Sequence, residues 1–288
     1  MTDGRFEAVA FNTTAYSYLP HWRPAYSIEE TVDRLAARGY DAVELAACRP
    51  HAFPDALTER DREALAGTIS DAGLSVVNVC SHFPPLGLNL GSPDDSERAA
   101  AASYLRGVAE LAAALDAPYF HIVPGWSVGG QSAAAARDLA IEEIDTALAD
   151  AAYGDATPLI EPLRLRECDV AHTADHALSI VDELSVGAGV LLDTFQLADG
   201  TANPVDAFRH AGDDLCMVHL ADTDRQAPGN GDVPWELVFD ALDDIGFDGP
   251  VSIEVWGDDP DELARASIEG LRELGVDTPP THSEPVSD

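Results

Sequence analysis

The 288-residue sequence predicts an α/β chain folded as a single (β/α)8 TIM barrel, and two observations carry that expectation. Short β-branched or apolar runs alternate with longer stretches of helical period, the pattern of βα units that feed a parallel sheet. Eight such runs occur, about 36 residues per unit, which suits a barrel with some long loops.

In chain order, Phe6–Phe11 is the first candidate strand, and Ile28–Arg38 is a helix stopped by Gly39. Asp41–Leu45 follows as strand two and Ser75–Val79, just past Gly73, as strand three. Ser96–Leu115 has helical period, because Leu105, Val108, Leu111, Ala112 and Leu115 share one face. The alanine-rich stretch Ala99–Ala117 is therefore a packed outer helix, not low-complexity sequence. Tyr119–Val123, Leu159–Glu161, Gly189–Asp193, Leu215–His219 and Val251–Glu254 complete the strands. The helical stretches between and after them include Ala133–Ala151, Thr173–Leu184, Val205–His210, Pro234–Ile245 and Pro260–Leu274. Several open on a capping residue or a proline, and Gly246 and Gly275 stand at expected stops. Residues 1–276 are expected to form the barrel. Residues 277–288 read DTPPTHSEPVSD, too polar and proline-rich to repay their ordering entropy, and form a flexible C-terminal tail.

Composition excludes several classes. No apolar run approaches the roughly 18–20 residues of a membrane helix. The opening MTDGRFEAVAFNTT lacks the basic start and apolar segment of a signal peptide, so the chain is expected in the cytoplasm. Net charge is −36, from 52 acidic residues against 16 basic ones, and every basic residue is Arg. Such an excess repels itself and any phosphate backbone in ordinary salt, whereas molar salt shortens the screening length to about 3 Å. The acids are spread along the whole chain, which reads as a halophilic surface rather than an acidic tail. No nucleic-acid or membrane partner is expected. Cys48, Cys80, Cys168 and Cys216 form no CxxC pair and are expected as reduced thiols.

In such a barrel the carboxyl ends of the strands face the active-site mouth. Strand five ends LIEP at Glu161, strand six LLDT at Asp193, strand seven MVHL at His219 and strand eight SIEV at Glu254. Their separations of 32, 26 and 35 residues are each one βα unit. Three carboxylates in one apolar mouth repel unless a cation sits among them. Oxygen-rich ligation with one imidazole suits Mn2+, with Mg2+ or Co2+ as alternatives, better than a structural zinc site.

The motifs IEP, LLDTFQL, VHLADTDRQAPGNGDVPW and SIEVW, with RPHAF after strand two, resemble the xylose isomerase-like TIM-barrel sugar isomerase/epimerase superfamily, and within it ketose 3-epimerases. The likeness runs from about Phe6 to Leu274 and is densest in the second half. It implies that Glu161, Asp193, His219 and Glu254 bind one divalent ion, and that Glu161 and Glu254 are also catalytic, moving the proton. It further implies that Glu167, in EPLRLRE, and Arg225, in HLADTDR, hold substrate hydroxyls. Where many members carry a histidine after the strand-six Asp, this chain has Gln196, which donates to a sugar oxygen but takes no proton near neutrality. His51 in RPHAF and His82 after strand three are further substrate-binding candidates. Trp22, Phe83, Trp126 and Trp256 lie just past strand ends, where they can wall the carbon face of a sugar. His121, inside strand four, reads as core, and the PGNG run at Pro228–Gly231 as an ordinary turn.

The implied activity is metal-dependent inversion of C3 of a ketose, free or phosphorylated, by two-carboxylate proton exchange through an enediolate. Aldose–ketose isomerisation uses the same parts with a proton moved between C1 and C2. The partners expected are a small-molecule sugar and further copies of the chain, as a homo-oligomer (dimer or tetramer). An endonuclease IV-like metal phosphodiesterase shares the barrel and several ligand positions, and Asp224 and Arg225 echo its Asp-Arg-His signature. Gln226 and Gln196 stand where two histidines of that trinuclear site belong. Few cationic groups are present to release counterions from DNA.

Overall fold

The computed structural model describes residues 5–19, 25–198 and 204–278. Trp22 and most of the expected tail lie outside the described residues. Eight parallel strands close into a barrel in sequence order: β1 (Val9–Asn12), β2 (Ala42–Ala46), β3 (Ser75–Cys80), β4 (Tyr119–Ile122), β5 (Thr157–Ile160), β6 (Gly189–Asp193), β7 (Leu215–Leu220) and β8 (Val251–Ile253). Closure comes from β1 on β8, with Ala10 opposite Ser252 and Phe11 opposite Ile253.

The helices outside the barrel are α1 (Ile28–Ala37), α2 (Glu59–Asp71), α3 (Phe83–Leu86), α4 (Asp95–Ala114), α5 (Ala133–Ala149), α6 (Ala174–Glu183), α7 (Thr194–Ala198), α8 (Pro204–Ala211), α9 (Trp235–Asp244) and α10 (Pro260–Glu273). Short polar residues start them. Ser27 and Glu30 make a reciprocal capping box on α1, as do Thr58 and Asp61 on α2. Asp94 and Asp259 accept two backbone N–H groups each at the starts of α4 and α10. Gly39, Gly73, Gly246 and Gly275 all take positive φ where the sequence places helix stops. Among the described residues no helix is long and apolar enough to cross a membrane.

Period-two alternation along the strands builds the barrel interior in layers. Ala10, Ala42, Val77, Leu159, Leu191 and Met217 form an apolar floor. Two residues further along five of those strands stand Asn12, Glu44, Glu161, Asp193 and His219, all buried. The strands thus raise a polar layer directly above an apolar one. Outside the barrel, a larger core joins strands to helices, with Phe11, Leu45, Phe120, Val190 and Val218 packed under residues such as Leu35, Leu105 and Leu242.

The strand ends differ slightly from the sequence expectation. β1 begins at Val9, because Phe6 packs instead against Phe239 and Phe247 at the barrel base. Glu161 and Glu254 follow the last residues of β5 and β8, yet their amides still donate to Ile122 and Leu220 across the sheet. All four cysteines are free thiols, three of them buried.

Buried Tyr104 of α4 fastens the loops that follow β2 and β3. Its hydroxyl donates to the Ala47 carbonyl at 2.9 Å and accepts from the His82 amide at 3.0 Å. Tyr104→Phe strips the His82 N–H of that partner, so the variant is expected to lose about 1–3 kcal/mol of stability. A denaturant titration reads this as a lower midpoint at unchanged slope, and an unshifted midpoint contradicts it.

Candidate active site

Glu161, Asp193, His219 and Glu254 meet at the carboxyl end of the barrel, each buried, with donor atoms all within 4.8 Å of one another. Their elements explain the meeting. Asp193 and His219 are register partners on β6 and β7, and the two glutamates continue β5 and β8 on either side. His219 Nδ1 lies 3.4 Å from Glu161 Oε1 and 3.3 Å from Glu254 Oε2. These three buried atoms have no hydrogen-bond partner. Glu254 Oε2 is 2.8 Å from Arg225 Nη1, an ion pair without hydrogen-bond alignment. Orphaned buried polar atoms are costly, and here the imidazole nitrogen lies within 3.4 Å of both carboxylate oxygens. Their spacing is that of donors around one ion with bonds of about 2.0–2.2 Å, so the residues fit a divalent cation.

The electrostatics reflect the crowding. Burial pushes the Glu161 carboxyl up to about 7, with Glu254 and Asp193 adding to the rise against the opposing pull of His219. Burial also raises Asp193, against Arg225. At Glu254 burial acts in the same sense, but Arg225 and His219 outweigh it and hold that carboxyl below the usual range. Burial works against a charged His219, yet Glu44 and Glu254 keep its imidazole above its ordinary value.

Beside the cluster opens a cavity of about 260 Å³, lined in part by His82, His121, Glu167, Gln196, Arg225 and Trp256. Of the four cluster residues, Glu161 and Glu254 line it. Arg225 enters from a turn in which Asp224 and Arg225 both adopt left-handed φ, 59° and 58°. Non-glycine residues held there carry strain, of the kind that collects at functional sites. The guanidinium carbon sits 4.4 Å from the Phe195 ring centre and 4.8 Å from that of Trp256, and Nη1 donates to Asp193 Oδ2 at 2.6 Å. Gln196 accepts from the Arg164 amide at 3.1 Å and donates to Glu167 Oε2 at 3.2 Å.

The remaining sequence candidates divide. His82 lines the cavity, with Nε2 3.1 Å from Thr14 Oγ1. His51 stands apart from the lining, its ring nitrogens 3.2 Å from Thr13 Oγ1 and 3.5 Å from Thr31 Oγ1, as a brace between loop and helix. Trp126 lines an adjoining hollow of about 440 Å³ that shares Pro84 and Glu167 with the first. Phe83 is fully buried against Tyr104. In the Pro228–Gly231 turn the Gly229 amide donates to Asp222, which also takes the Val233 amide and the Trp235 indole, so the loop is tied internally. Asp224 and Gln226 are both exposed.

Four residues escaped the sequence reading. His121, taken there as core, lines the cavity with Nε2 3.3 Å from Glu161 Oε2, while its Nδ1 accepts from Asn78 Nδ2 at 3.1 Å. Burial pushes its imidazole down to about 4, as it does those of His51 and His82. Glu44, Asn78 and Asn12 form a connected network beneath the cluster. The available signal was a polar side chain at an inward position of an otherwise apolar strand.

Residues 32–274 match the family described as xylose isomerase-like TIM barrel. A D-psicose 3-epimerase of Agrobacterium fabrum is 30% identical over 252 residues, spanning 83% of this chain and 82% of that protein. A putative hydroxypyruvate isomerase of Streptomyces coelicolor is 29% identical, over 78% of this chain and 84% of that one. The crystal structure of D-psicose 3-epimerase with D-tagatose from Clostridium cellulolyticum H10 superposes with a TM-score of 0.78 at 20% identity, covering 93% of this chain and 99% of that one. From the strand order, the strand-end cluster and these matches together, the chain belongs to the xylose isomerase-like TIM-barrel family and stands near the ketose 3-epimerases.

Proposed function

We propose that the protein is a sugar epimerase that inverts C3 of a ketose with the help of one divalent ion, manganese being the preferred choice. The observation that carries this is the position of Glu161 and Glu254: both belong to the ion-binding cluster and both line the cavity, so each reaches a bound sugar. The ketose 3-epimerase relatives support the same reading. Three acids in the lining, Glu161, Glu167 and Glu254, against the Arg225 guanidinium, favour an uncharged sugar over a phosphorylated one.

Glu161, Asp193, His219 and Glu254 would hold the ion, which when bound polarises the sugar carbonyl and stabilises negative charge on the adjoining oxygens. The C2 carbonyl acidifies the C3 hydrogen. One glutamate takes that proton, and the C–H electron pair passes into the C2–C3 bond to leave an enediolate. The other glutamate delivers a proton to the opposite face, the carbonyl re-forms, and the centre is inverted. Arg225, clamped between Phe195 and Trp256, and Gln196 offer donors to sugar oxygens, while Glu167 accepts from a hydroxyl.

Free and phosphorylated ketoses, beginning with D-psicose and D-fructose, are to be incubated in deuterium oxide with Mn2+ at high KCl. Deuterium at C3 of the product supports epimerisation. Deuterium at C1 or C2 instead favours aldose–ketose isomerisation, the activity suggested by the isomerase relative, and no exchange with any sugar overturns the proposal. Glu254→Gln and Glu161→Gln are each expected to cut turnover by about 10²–10⁴-fold while the barrel stays folded by circular dichroism. Wild-type activity in either variant removes that residue from the mechanism.

Chelation is expected to abolish turnover and added Mn2+ to restore it. In calorimetry, Mn2+ at about 100 times its dissociation constant is expected to stabilise the fold by about 2.7 kcal/mol. An unfolding transition indifferent to Mn2+ and to chelator counts against an ion in this cluster.

A further inference from the structure

Beneath the cluster, on the second strand, lies a carboxylate that touches neither cavity nor solvent. Glu44 of β2 is 0% exposed, and the side chains around it are donors. Asn12 Nδ2 donates to Oε2 at 2.9 Å, and Asn78 Nδ2 donates to Oε1 at 2.7 Å. The Asn12 amide orientation is set independently, because its Oδ1 accepts from the Thr14 backbone N–H at 2.9 Å. The turned-over Asn78 amide would set its oxygen against a carboxylate oxygen, so its nitrogen faces Glu44. The third neighbour is His219 Nε2, 2.8 Å from Oε1. An ionised carboxylate only accepts, so His219 Nε2 carries a hydrogen, and Nδ1, on the opposite side toward Glu161 and Glu254, is the nitrogen left to give its lone pair to an ion.

We propose that Glu44 is a positioning residue for the ion: by accepting from His219 Nε2 it fixes the imidazole's tautomer and rotation so that Nδ1 is the ligand atom. A buried carboxylate behind a ligating histidine raises the ligand's basicity as well as aiming it. Glu44 also has donor atoms of Cys80 and His121 within 4.8 Å, an arrangement that resembles a second ion site. Its two oxygens already receive three N–H groups from Asn12, Asn78 and His219. Asn12 Nδ2 further approaches Cys80 Sγ at 3.3 Å. Glu44 therefore acts as an acceptor hub, not as a ligand. The same hub reaches Glu161 by a second arm, since Asn78 also donates to His121 Nδ1 and leaves His121 Nε2 facing Glu161 Oε2.

The proposal rests on the reading of Glu161, Asp193, His219 and Glu254 as ion ligands, and its test separates the two. Dissociation constants for Mn2+ are to be measured by electron paramagnetic resonance on the full-length protein and on Glu44→Gln. The Co2+ absorption spectrum is to be recorded for both. Glutamine keeps the volume but is neutral, and its amide hydrogens face Asn12 or His219, which are donors themselves. A 10–100-fold weaker Mn2+ constant and a changed Co2+ spectrum are expected in the variant, with the sugar KM at saturating Mn2+ unchanged. Wild-type constants and spectrum in folded Glu44→Gln overturn the role of Glu44 alone. A wild-type protein that binds neither ion overturns the ligand assignment, and this proposal with it. Should the variant not fold, histidine 15N correlation spectra of the Mg2+-loaded wild type decide: a hydrogen on His219 Nε2 is the expected result, and a hydrogen on Nδ1 refutes it.

Discussion

Like-charge crowding is the constraint from which the rest of this molecule follows. Glu161, Asp193 and Glu254 place carboxylate oxygens within 4.8 Å of His219 in a buried pocket, and Glu44 adds a fourth carboxylate behind that imidazole. Isolated ionised groups in such surroundings cost several kcal/mol each, so the fold must surround them with donors or a cation. It supplies donors from every side: Arg225 at Asp193 and Glu254, the Phe195 amide at Asp193, and the amides of Asn12 and Asn78 at Glu44. Within the cluster itself three atoms stay without hydrogen-bond partners, Glu161 Oε1, His219 Nδ1 and Glu254 Oε2, and the imidazole nitrogen lies 3.4 Å and 3.3 Å from the two carboxylate oxygens. A chain selected only for stability has no reason to keep that arrangement.

The barrel can hold it because its strands alternate with period two over a rigid apolar floor. Leu159 then Glu161, Leu191 then Asp193, and Met217 then His219 each set a polar group two residues above a floor residue. Three of the four cluster residues follow that rule, and all four are legible because each stands at the carboxyl end of its strand, one βα unit from the next, Glu254 having Ser252 two positions before it. Glu44 and Asn12 obey the same rule from Ala42 and Ala10, but their meaning depends on what stands across the barrel. Glu44 meets His219, 175 positions away, and no local pattern encodes that pairing. For His121, burial was readable and its neighbours were not. Its floor-like setting on β4 looks apolar until Asn78 and Glu161 are placed beside it. Helix α2 was hard to see for a related reason, since it buries little more than Leu65 and Ile69.

The chain has arginine but no lysine, and Arg225 shows what that choice permits inside the site. A planar guanidinium can lie between Phe195 and Trp256 while one nitrogen reaches both Asp193 and the neighbourhood of Glu254. A lysine ammonium has no flat faces for such stacking. The left-handed backbone at Asp224 and Arg225 is what turns the side chain inward, while Asp222, tied to the Gly229 and Val233 amides and the Trp235 indole, holds the far side of the same loop. The sequence motif around these residues is thus a mechanical unit, in which a strained turn is balanced by a buried carboxylate.

Gln196 shows how a departure from the family pattern can be absorbed. A histidine at this position offers one nitrogen as donor and the other as acceptor, with its charge free to change near neutrality. The glutamine keeps the donor and acceptor pair and drops the titration: its oxygen takes the Arg164 amide and its nitrogen serves Glu167. Arg164 in turn donates to the other Glu167 oxygen at 2.7 Å. Glu167 is therefore held from both sides, by Gln196 and Arg164. This wall of the cavity keeps its orientation without depending on an imidazole's charge. The carboxyl that burial pushes up to about 7 is Glu161, which stands in the cluster and lines the same cavity.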